Sequence, residues 1–167
     1  GDPEVLAKLA AARTRGLPVD GHAPGLRGDD LRRYLAAGPS TDHESLTLEE
    51  AREKAALGMN ILIRRGSAAD ALDVFLPLLT ERPEVCMFCS DDRHPHDLLR
   101  GHINDMVRQS VHKGADLMNT LRAASLNPAR HYGLGLGLLR DGDPADFIVV
   151  DDLRDFAVRQ TWVGGRL

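Results

Sequence analysis

Groups able to bind a metal ion or to move a proton follow four short apolar stretches of the sequence. These groups are His22, Asp42-His43-Glu44, Arg64-Arg65 and Asp91-Asp92. Neutral imidazole and carboxylate side chains are good ligands for Zn²⁺, Fe²⁺ and Mn²⁺. A bound divalent ion lowers the pKa of its water to about 7, and a nearby carboxylate can take up the proton and deliver it to a leaving group. These residue types therefore point to metal-assisted hydrolysis.

The apolar stretches alternate with segments of helical periodicity, as in a sheet whose strands are joined by helices. Short strands are predicted at Leu17-Pro18-Val19, near Ser40-Thr41, over Met59–Ile63 and over Val85–Cys89. Helices are predicted over Asp2–Arg15, Asp29–Ala37 and Thr47–Gly58, the last opened by a Thr47–Glu50 capping box. Such alternation gives parallel strands with right-handed crossovers and a ligand site at their carboxyl ends. We therefore expect the four groups to meet at one edge of a sheet.

The second half of the chain carries further helix signals and then changes character. Ser67 and Asp70 offer a capping box for a helix that Pro77 should kink or end. Helices are predicted over Asp97–Lys113 and Asp116–Ser125, the latter closed by Asn127-Pro128, followed by a strand within Asp143–Asp151 and a hairpin at Trp162–Gly165. We place a domain boundary after residue 132, so that residues 133–167 form an incomplete β-domain segment.

Each polar group also has an ordinary structural interpretation when it is taken singly. His22 can be a turn or surface histidine, and His43 can belong to a solvated acidic loop. Asp91-Asp92 can cap the following helix and favour its dipole. Arg64 and Arg65 can be exposed strand-end residues or substrate contacts. The residues alone leave a metal site and a set of unrelated polar loops both open.

Two other clusters are given structural roles. Cys86 and Cys89 lie within an apolar run, whereas a redox pair should open a helix after a strand, so we predict buried strand cysteines. A histidine-rich loop follows Asp92, and we predict that it forms a solvated rim around the site. Its histidines are His94, His96 and His102.

Composition narrows the class of protein. The 167 residues are 43% hydrophobic and 28% charged, with a formal net charge of −4, which is typical of a globular chain. Basic residues form no stripe, so nucleic acid is not an expected partner. The longest apolar runs are too short to span a bilayer, and no membrane association is expected. Two cysteines and no export signal favour the cytoplasm.

Four ordered motifs carry a specific resemblance to a known family. The motifs are VDGHAPG at residues 19–25, STDHE at 40–44, IRRGSA at 63–68 and FCSDDRHP at 88–95, and the likeness extends to 126–129 and 142–151. Together they resemble the adenine deaminases of the amidohydrolase superfamily. The resemblance implies an α/β fold that is part of a (β/α)₈ TIM-type barrel, about strands 5–8, with a short C-terminal β appendage.

The resemblance also implies roles for individual residues. His22 and His43 match the metal-ligand histidines that end the fifth and sixth strands of the family's barrel. Asp91 matches the aspartate that ends the eighth strand, a metal ligand that is also the catalytic general base and proton shuttle. The match does not decide a role for Glu44, Arg64, Ser67 and Asp92, which are candidates for contacts with the metal ligands or with the substrate. The implied cofactor is a binuclear divalent metal centre, with Mn²⁺ or Fe²⁺ preferred and Zn²⁺ as the alternative. The implied reaction converts adenine and water to hypoxanthine and ammonia by attack of a metal-bound hydroxide.

The sequence also departs from the family pattern. The family's first strand carries a His-x-His pair and its fourth strand a bridging carboxylate, whereas the only His-x-His here is His94-Pro95-His96. About four of eight barrel strands are predicted, and four parallel strands cannot close a barrel. We therefore expect a fragment that alone binds metal weakly, lacks deaminase activity and self-associates through open barrel edges.

Two other functions remain open from the sequence. Another amidohydrolase acting on a cyclic amide would use the same ligands, and only the substrate pocket would differ. A free-standing, non-catalytic α/β module could use the acidic strand ends to bind a cation. Such a module should be a compact monomer with a complete sheet.

Overall fold

The structure is a computed structural model that describes residues 2–136 and 138–167. The chain divides into two compact units at Leu62/Ile63. The first contains α1 (Pro3–Thr14), α2 (Gly28–Ala37), β1 (Thr41–Asp42), α3 (Leu48–Ala56) and the start of β2 (Asn60–Arg64). The second contains α4 (Leu72–Glu81), β3 (Cys86–Cys89), α5 (Pro95–Leu98), α6 (Ile103–His112), α7 (Leu117–Leu121), α8 (Asn127–His131), β4 (Phe147–Val150) and β5 (Val158–Trp162). The chain is therefore α/β, with helices and strands alternating from α2 to β3.

The strands β1, β2 and β3 are short and lie at three of the four positions predicted from the sequence. β1 runs parallel to β2, with Thr41 opposite Asn60 and Asp42 opposite Ile61. After β2, the amide of Arg65 donates to the carbonyl of Cys89 at the end of β3, at 3.0 Å. The strand order in this sheet is β1-β2-β3.

The predicted first strand at Leu17-Pro18-Val19 is wrong, because these residues have no strand conformation. Val19 still accepts one backbone hydrogen bond, from the amide of Ser40 at 2.8 Å. Pro18 has no amide hydrogen to contribute to a ladder, and Leu17 is exposed rather than buried. The segment is thus an extended approach to the His22 loop.

The first unit has a small apolar core between its helices and its strand pair. The buried apolar side chains are Ala23, Leu31, Ala51, Ala55, Met59 and Ile61. The helix α1 contributes no buried residue, and its apolar Val5 and Leu6 are exposed. Thr47 caps α3 as predicted, since its hydroxyl accepts the amide of Glu50 at 3.2 Å.

The second unit buries a larger apolar set around β3. Its core includes Ile63, Leu72, Phe75, Leu78, Leu79, Met87, Phe88 and Met106. The antiparallel pair of β4 and β5 forms a hairpin with a bulge between Val149 and Val150. The predicted boundary after residue 132 lies inside this unit and stays a prediction.

Several predicted helix boundaries in the second unit are wrong. The predicted Ser67–Asp70 box does not form, because α4 begins at Leu72, and Asp70 accepts the amide of Leu72 at 3.0 Å and the Arg65 guanidinium at 2.9 Å. The helix also continues through Pro77 to Glu81. The predicted 97–113 helix divides at Gly101, whose φ of 148° excludes a helical turn there.

Asn127-Pro128 do not close a helix as predicted. A π-helical turn over Arg122–Leu126 leads directly into α8, and Pro128 lies in the first turn of α8, where a missing amide hydrogen does no harm. The side-chain amide of Asn127 donates to the carbonyls of Pro83 (2.7 Å) and Cys86 (2.8 Å), next to and at the start of β3. This motif therefore anchors the amino end of β3. None of the described helices is both long enough and apolar enough to cross a membrane.

Candidate metal centre

The loop that carries His22 lies against β1 at a very short distance. A Cβ atom built on Gly21 would lie 2.2 Å from the carbonyl oxygen of Thr41 and 3.0 Å from the hydroxyl of Tyr34. No side chain fits such a gap, so the type of residue 21 is fixed by the approach of the two backbones. His22 follows immediately, and its position is set by this contact.

Hydrogen bonds from several elements hold the backbone of the same loop. The amide of Gly21 donates to the Thr41 hydroxyl (3.2 Å), and the amide of His22 donates to the hydroxyl of Tyr34 on α2 (3.0 Å). The amide of Ala23 donates to Asp42 Oδ1 at 2.9 Å. The backbone on both sides of His22 is therefore fixed, while its imidazole remains 65% exposed.

A buried lysine on α3 connects this loop to the residues after β1. Lys54 has 0% of its side chain exposed, and its ammonium contacts Ala23 O (2.6 Å), Glu50 Oε1 (2.6 Å), Asp42 Oδ2 (2.8 Å) and Ser45 Oγ (3.1 Å). Glu50 also accepts the amides of Gly25 (2.7 Å) and Leu46 (3.0 Å). We call Asp42, Glu50 and Lys54 the Lys54 network.

Both carboxylates of the Lys54 network remain ionised. Burial raises the pKa of Asp42, but hydrogen bonds from Lys54, Ser45 and the amide of Ala23 outweigh it, so that its net pKa is lowered. Burial likewise raises the pKa of Glu50, and the bonds from Lys54, Leu46 and Gly25 reverse the shift. Hydrogen bonds to the charged form thus exceed the cost of desolvation at each site.

Three of the sequence-predicted site residues come together in the first unit. His22, His43 and Glu44 each offer one ligand atom, and these atoms lie within 4.8 Å of one another. Glu44 Oε1 is 3.8 Å from His22 Nδ1 and 3.7 Å from His43 Nε2, and the two imidazole rings are edge to face at 5.3 Å. Tetrahedral ligands at the usual bond lengths to Zn²⁺ lie about 3.4 Å apart. Two imidazoles and a carboxylate at this spacing fit a divalent metal ion with little adjustment.

Asp91 lies in the second unit, two residues beyond the end of β3. Its carboxylate is 24% exposed, and its Oδ2 accepts from Arg64 Nη1 at 2.7 Å. Its backbone has φ of 51°, a left-handed conformation that aspartate tolerates better than most residues. Oδ1 accepts the amide of Asp92 at 2.9 Å, which favours this turn. Arg64 is thus an ion-pair partner of the predicted catalytic carboxylate.

Ser67 and Asp92 hold together the loops that follow β2 and β3. The amide of Ser67 donates to the carbonyl of Asp92 at 2.9 Å. The hydroxyl of Ser67 donates to Asp97 (2.5 Å) and accepts the amide of His94 (2.8 Å). Both residues stabilise these loops, and their contact with substrate stays a prediction. The histidine rim is exposed at His94 and His96, as expected.

Neither cysteine forms a disulfide, and Cys86 is buried in β3 as predicted. Burial raises the pKa of the Cys86 thiol to about 12. A thiol with this pKa is protonated at neutral pH and is neither a nucleophile nor a metal ligand. Cys89 is half-buried, so the prediction of full burial is wrong for this residue.

Sequence reasoning did not identify Lys54 or Tyr34. The capping-box pattern placed Glu50 at the start of α3, but its carboxylate binds the amides of Leu46 and Gly25 instead. One signal was available in the sequence: Lys54 lies on the same face of α3 as Ala51 and Ala55, where an apolar side chain is expected. A lysine within an apolar stripe is a reason to look for buried acceptors.

Comparison with known proteins assigns the chain to a family. A model of the amidohydrolase family matches residues 1–167, the whole chain. The chain belongs to the amidohydrolase family. Several curated relatives carry the name adenine deaminase: the chain is 58% identical to the protein of Salinibacter ruber over 167 residues, and 56% identical to that of Methanosarcina barkeri over 164 residues. These alignments cover 100% and 98% of this chain, but only 31% and 30% of the relatives, so the chain spans less than a third of their length.

Solved structures of low sequence identity share the fold. A β-aspartyl dipeptidase from Fervidobacterium islandicum AW-1 superposes with a TM-score of 0.73 at 19% identity, covering 98% of this chain and 52% of that one. At this identity the likeness shows the fold alone. Members of the amidohydrolase family use divalent metals, which agrees with the donor set of His22, His43 and Glu44.

Proposed function

We propose that this amidohydrolase chain is the part of a metal-dependent adenine deaminase that supplies strands 5–8 of a TIM-type barrel and the start of the return into a small β-domain. The observation that supports a metal-dependent hydrolase is the donor set of His22, His43 and Glu44, whose ligand atoms lie within 4.8 Å of one another. The choice of adenine rests on the relatives that bear the name adenine deaminase and match the chain over its whole length. The substrate is a small purine, and neither nucleic acid nor a membrane is proposed as a partner.

In this proposal His22 and His43 hold a divalent metal of a binuclear centre, with Mn²⁺ or Fe²⁺ preferred and Zn²⁺ as the alternative. When bound, the metal supplies Lewis-acid activation of water. Glu44 would supply a third ligand to the ion or orient the water, a role supported by the 3.8 Å and 3.7 Å distances from its Oε1 to the imidazoles of His22 and His43.

Asp91 is the proposed metal ligand and general base. The overall reaction forms a C–O bond at the carbon of adenine that bears the amino group, breaks the C–N bond and releases ammonia. Asp91 accepts a proton from the attacking water and returns it to the leaving nitrogen. Arg64 holds the carboxylate of Asp91 in position through the 2.7 Å ion pair. Ser67 and Asp92 are proposed to shape the substrate side of the same loops.

The test uses the complete product of the gene that encodes these 167 residues. We expect conversion of adenine to hypoxanthine that is lost on chelation and restored by Mn²⁺ or Fe²⁺. His22→Ala and His43→Ala should each lower the rate at least 100-fold, whereas His96→Ala, which removes an exposed rim histidine, should leave it within threefold. Absence of adenine turnover in the metal-loaded protein, or turnover of a cyclic amide instead, would refute the proposal.

The isolated 167-residue chain provides a second test. We propose that it lacks turnover even with added Mn²⁺ or Fe²⁺, and that it self-associates through uncovered apolar surface such as Val5 and Leu6 of α1. A well-folded monomer in analytical ultracentrifugation would favour the alternative of a free-standing cation-binding module. Robust turnover by the isolated chain would contradict its proposed dependence on further residues. We place the working protein in the cytoplasm, where Cys86 and Cys89, which form no disulfide, remain reduced.

A further inference from the structure

The four oxygen atoms around the ammonium of Lys54 have an unusual relation to the metal donors. Ala23 is the chain neighbour of His22, Asp42 is the chain neighbour of His43, and Ser45 is the chain neighbour of Glu44. Each of these three neighbours contributes an oxygen within 2.6–3.1 Å of the same nitrogen. One buried side chain thus contacts the residue beside every member of the donor set.

We propose that Lys54 is a positioning residue that fixes the spacing of the three donors, a role that rests on the proposed function of His22, His43 and Glu44. Its ammonium ties the loop of His22 to the segment that bears the other two donors. Asp42 strengthens the same connection, because its Oδ1 accepts the amide of Ala23 while its Oδ2 binds Lys54. Glu50 extends it to Gly25, at the far end of the loop.

The chemistry of the Lys54 network favours positioning over simple stabilisation. Desolvating three charges is costly, and well-packed apolar residues of the same volume often stabilise a fold as well or better. What apolar contacts cannot provide is a set of directional bonds of fixed length to three separate backbone segments. Partners that hold the residues around metal ligands commonly change metal affinity 10- to 100-fold when they are removed. Lys54 acts one step further out, through the residues adjoining the ligands.

The principal experiment replaces the whole Lys54 network so that no buried charge is left unpaired. The triple variant Asp42→Asn, Glu50→Gln, Lys54→Met is made in the complete gene product, with Met59→Ala as a matched control that perturbs the buried core of the same unit. Two quantities are measured: the affinity for Co²⁺ by titration calorimetry, and hydrogen exchange of the amides of residues 21–25 in the metal-free protein. We expect the triple variant to lose 10- to 100-fold in affinity and to exchange these amides faster. Met59→Ala should lower the melting temperature and leave the affinity within about twofold.

A folded triple variant with the affinity and the exchange rates of the parent protein would overturn the inference. If the triple variant does not fold, Ser45→Ala replaces it, because this change removes only one bond to Lys54 and one to Asp42. We expect Ser45→Ala to lower Co²⁺ affinity three- to tenfold with the melting temperature nearly unchanged, and unchanged affinity would again overturn the inference. If the parent protein binds no metal, the proposed function fails, and the exchange of residues 21–25 still decides whether Lys54 holds the loop.

Discussion

Replacing Gly21 by alanine introduces a methyl group where the His22 loop meets β1. The new Cβ would lie 2.2 Å from the carbonyl oxygen of Thr41 and 3.0 Å from the Tyr34 hydroxyl. A carbon atom approaches a carbonyl oxygen no closer than about 3.3 Å, so the backbones must separate by roughly 1 Å. The oxygen belongs to the main chain of β1 and cannot turn aside as a side chain would.

The cost of this separation can be worked out from the bonds that it breaks. The amide of Gly21 would lose the Thr41 hydroxyl and the amide of His22 would lose Tyr34, each worth about 1 kcal/mol. Overpacking adds about 1–3 kcal/mol. We therefore expect the free energy of unfolding to fall by about 3–5 kcal/mol. Because His22 moves with the backbone, a displacement of about 1 Å should also lower the proposed deaminase rate on the order of 100-fold.

Gly16→Ala provides the matched control for this prediction. Gly16 has φ of 64°, and a Cβ at this position would have no atom within 4 Å, so alanine there introduces backbone strain but no steric overlap. Its expected cost is about 1–2 kcal/mol. Both variants are compared by urea denaturation followed by circular dichroism and by hydrogen exchange of peptides from residues 17–62. If Gly21→Ala lowers the free energy of unfolding no more than Gly16→Ala does, the close approach of the His22 loop to β1 is refuted.

Three further predictions concern other parts of the chain. Hydrogen bonds hold the pKa values of Asp42 and Glu50 below their ordinary range despite burial, so their contribution to stability is complete above the unfolded pKa of about 4 and is lost as the pH falls through the folded pKa values. The unfolding free energy measured against pH should therefore fall in acid, and the triple variant of the Lys54 network should lack this fall. Asn127→Ala removes a hydrogen bond to the buried carbonyl of Cys86 and one to the part-buried carbonyl of Pro83, and should cost about 1–3 kcal/mol in urea denaturation. An exposed substitution such as Arg130→Ala should cost under about 0.5 kcal/mol. The thiol of Cys86, whose pKa burial raises to about 12, should resist a thiol reagent at pH 8 until the protein unfolds; rapid labelling of the folded protein would contradict its burial.

The spacing of polar groups after strands allowed part of the candidate site to be predicted from the sequence. His22 and His43 were placed together because parallel strands expose their carboxyl ends at one edge, and their rings lie 5.3 Å apart. The two histidines lie close together although the predicted strand at residues 17–19 is wrong. One hydrogen bond from the Ser40 amide to the Val19 carbonyl is enough to bring the following loop beside β1. The position of His22 beside His43 therefore depends on the path of the chain and not on a regular strand before His22.

The features that were missed depend on contacts between residues far apart in the sequence. A lysine on a helix is usually solvated, and its position among the alanines of α3 is a weak local signal; Arg52, two residues earlier, is exposed. The burial of Lys54 follows from acceptors at Ala23 and Asp42, 31 and 12 residues away. In the same way, Pro77 and Pro128 signal helix ends locally, but packing of the buried neighbours Leu78 and Ala129 keeps the chain helical.

The histidines and Asp91 are held by different means, and the difference agrees with the roles proposed for them. Hydrogen bonds tie the backbone around His22 to α2, β1 and α3, and those to β1 and α3 are buried, which suits a ligand whose position must not change. Asp91 occupies a turn with positive φ, and its carboxylate is partly exposed and paired with Arg64. A carboxylate that takes up a proton must exchange partners during the reaction, and an ion pair at the edge of solvent is weaker than a buried one. The same carboxylate in the Lys54 network would be held too firmly to carry a proton.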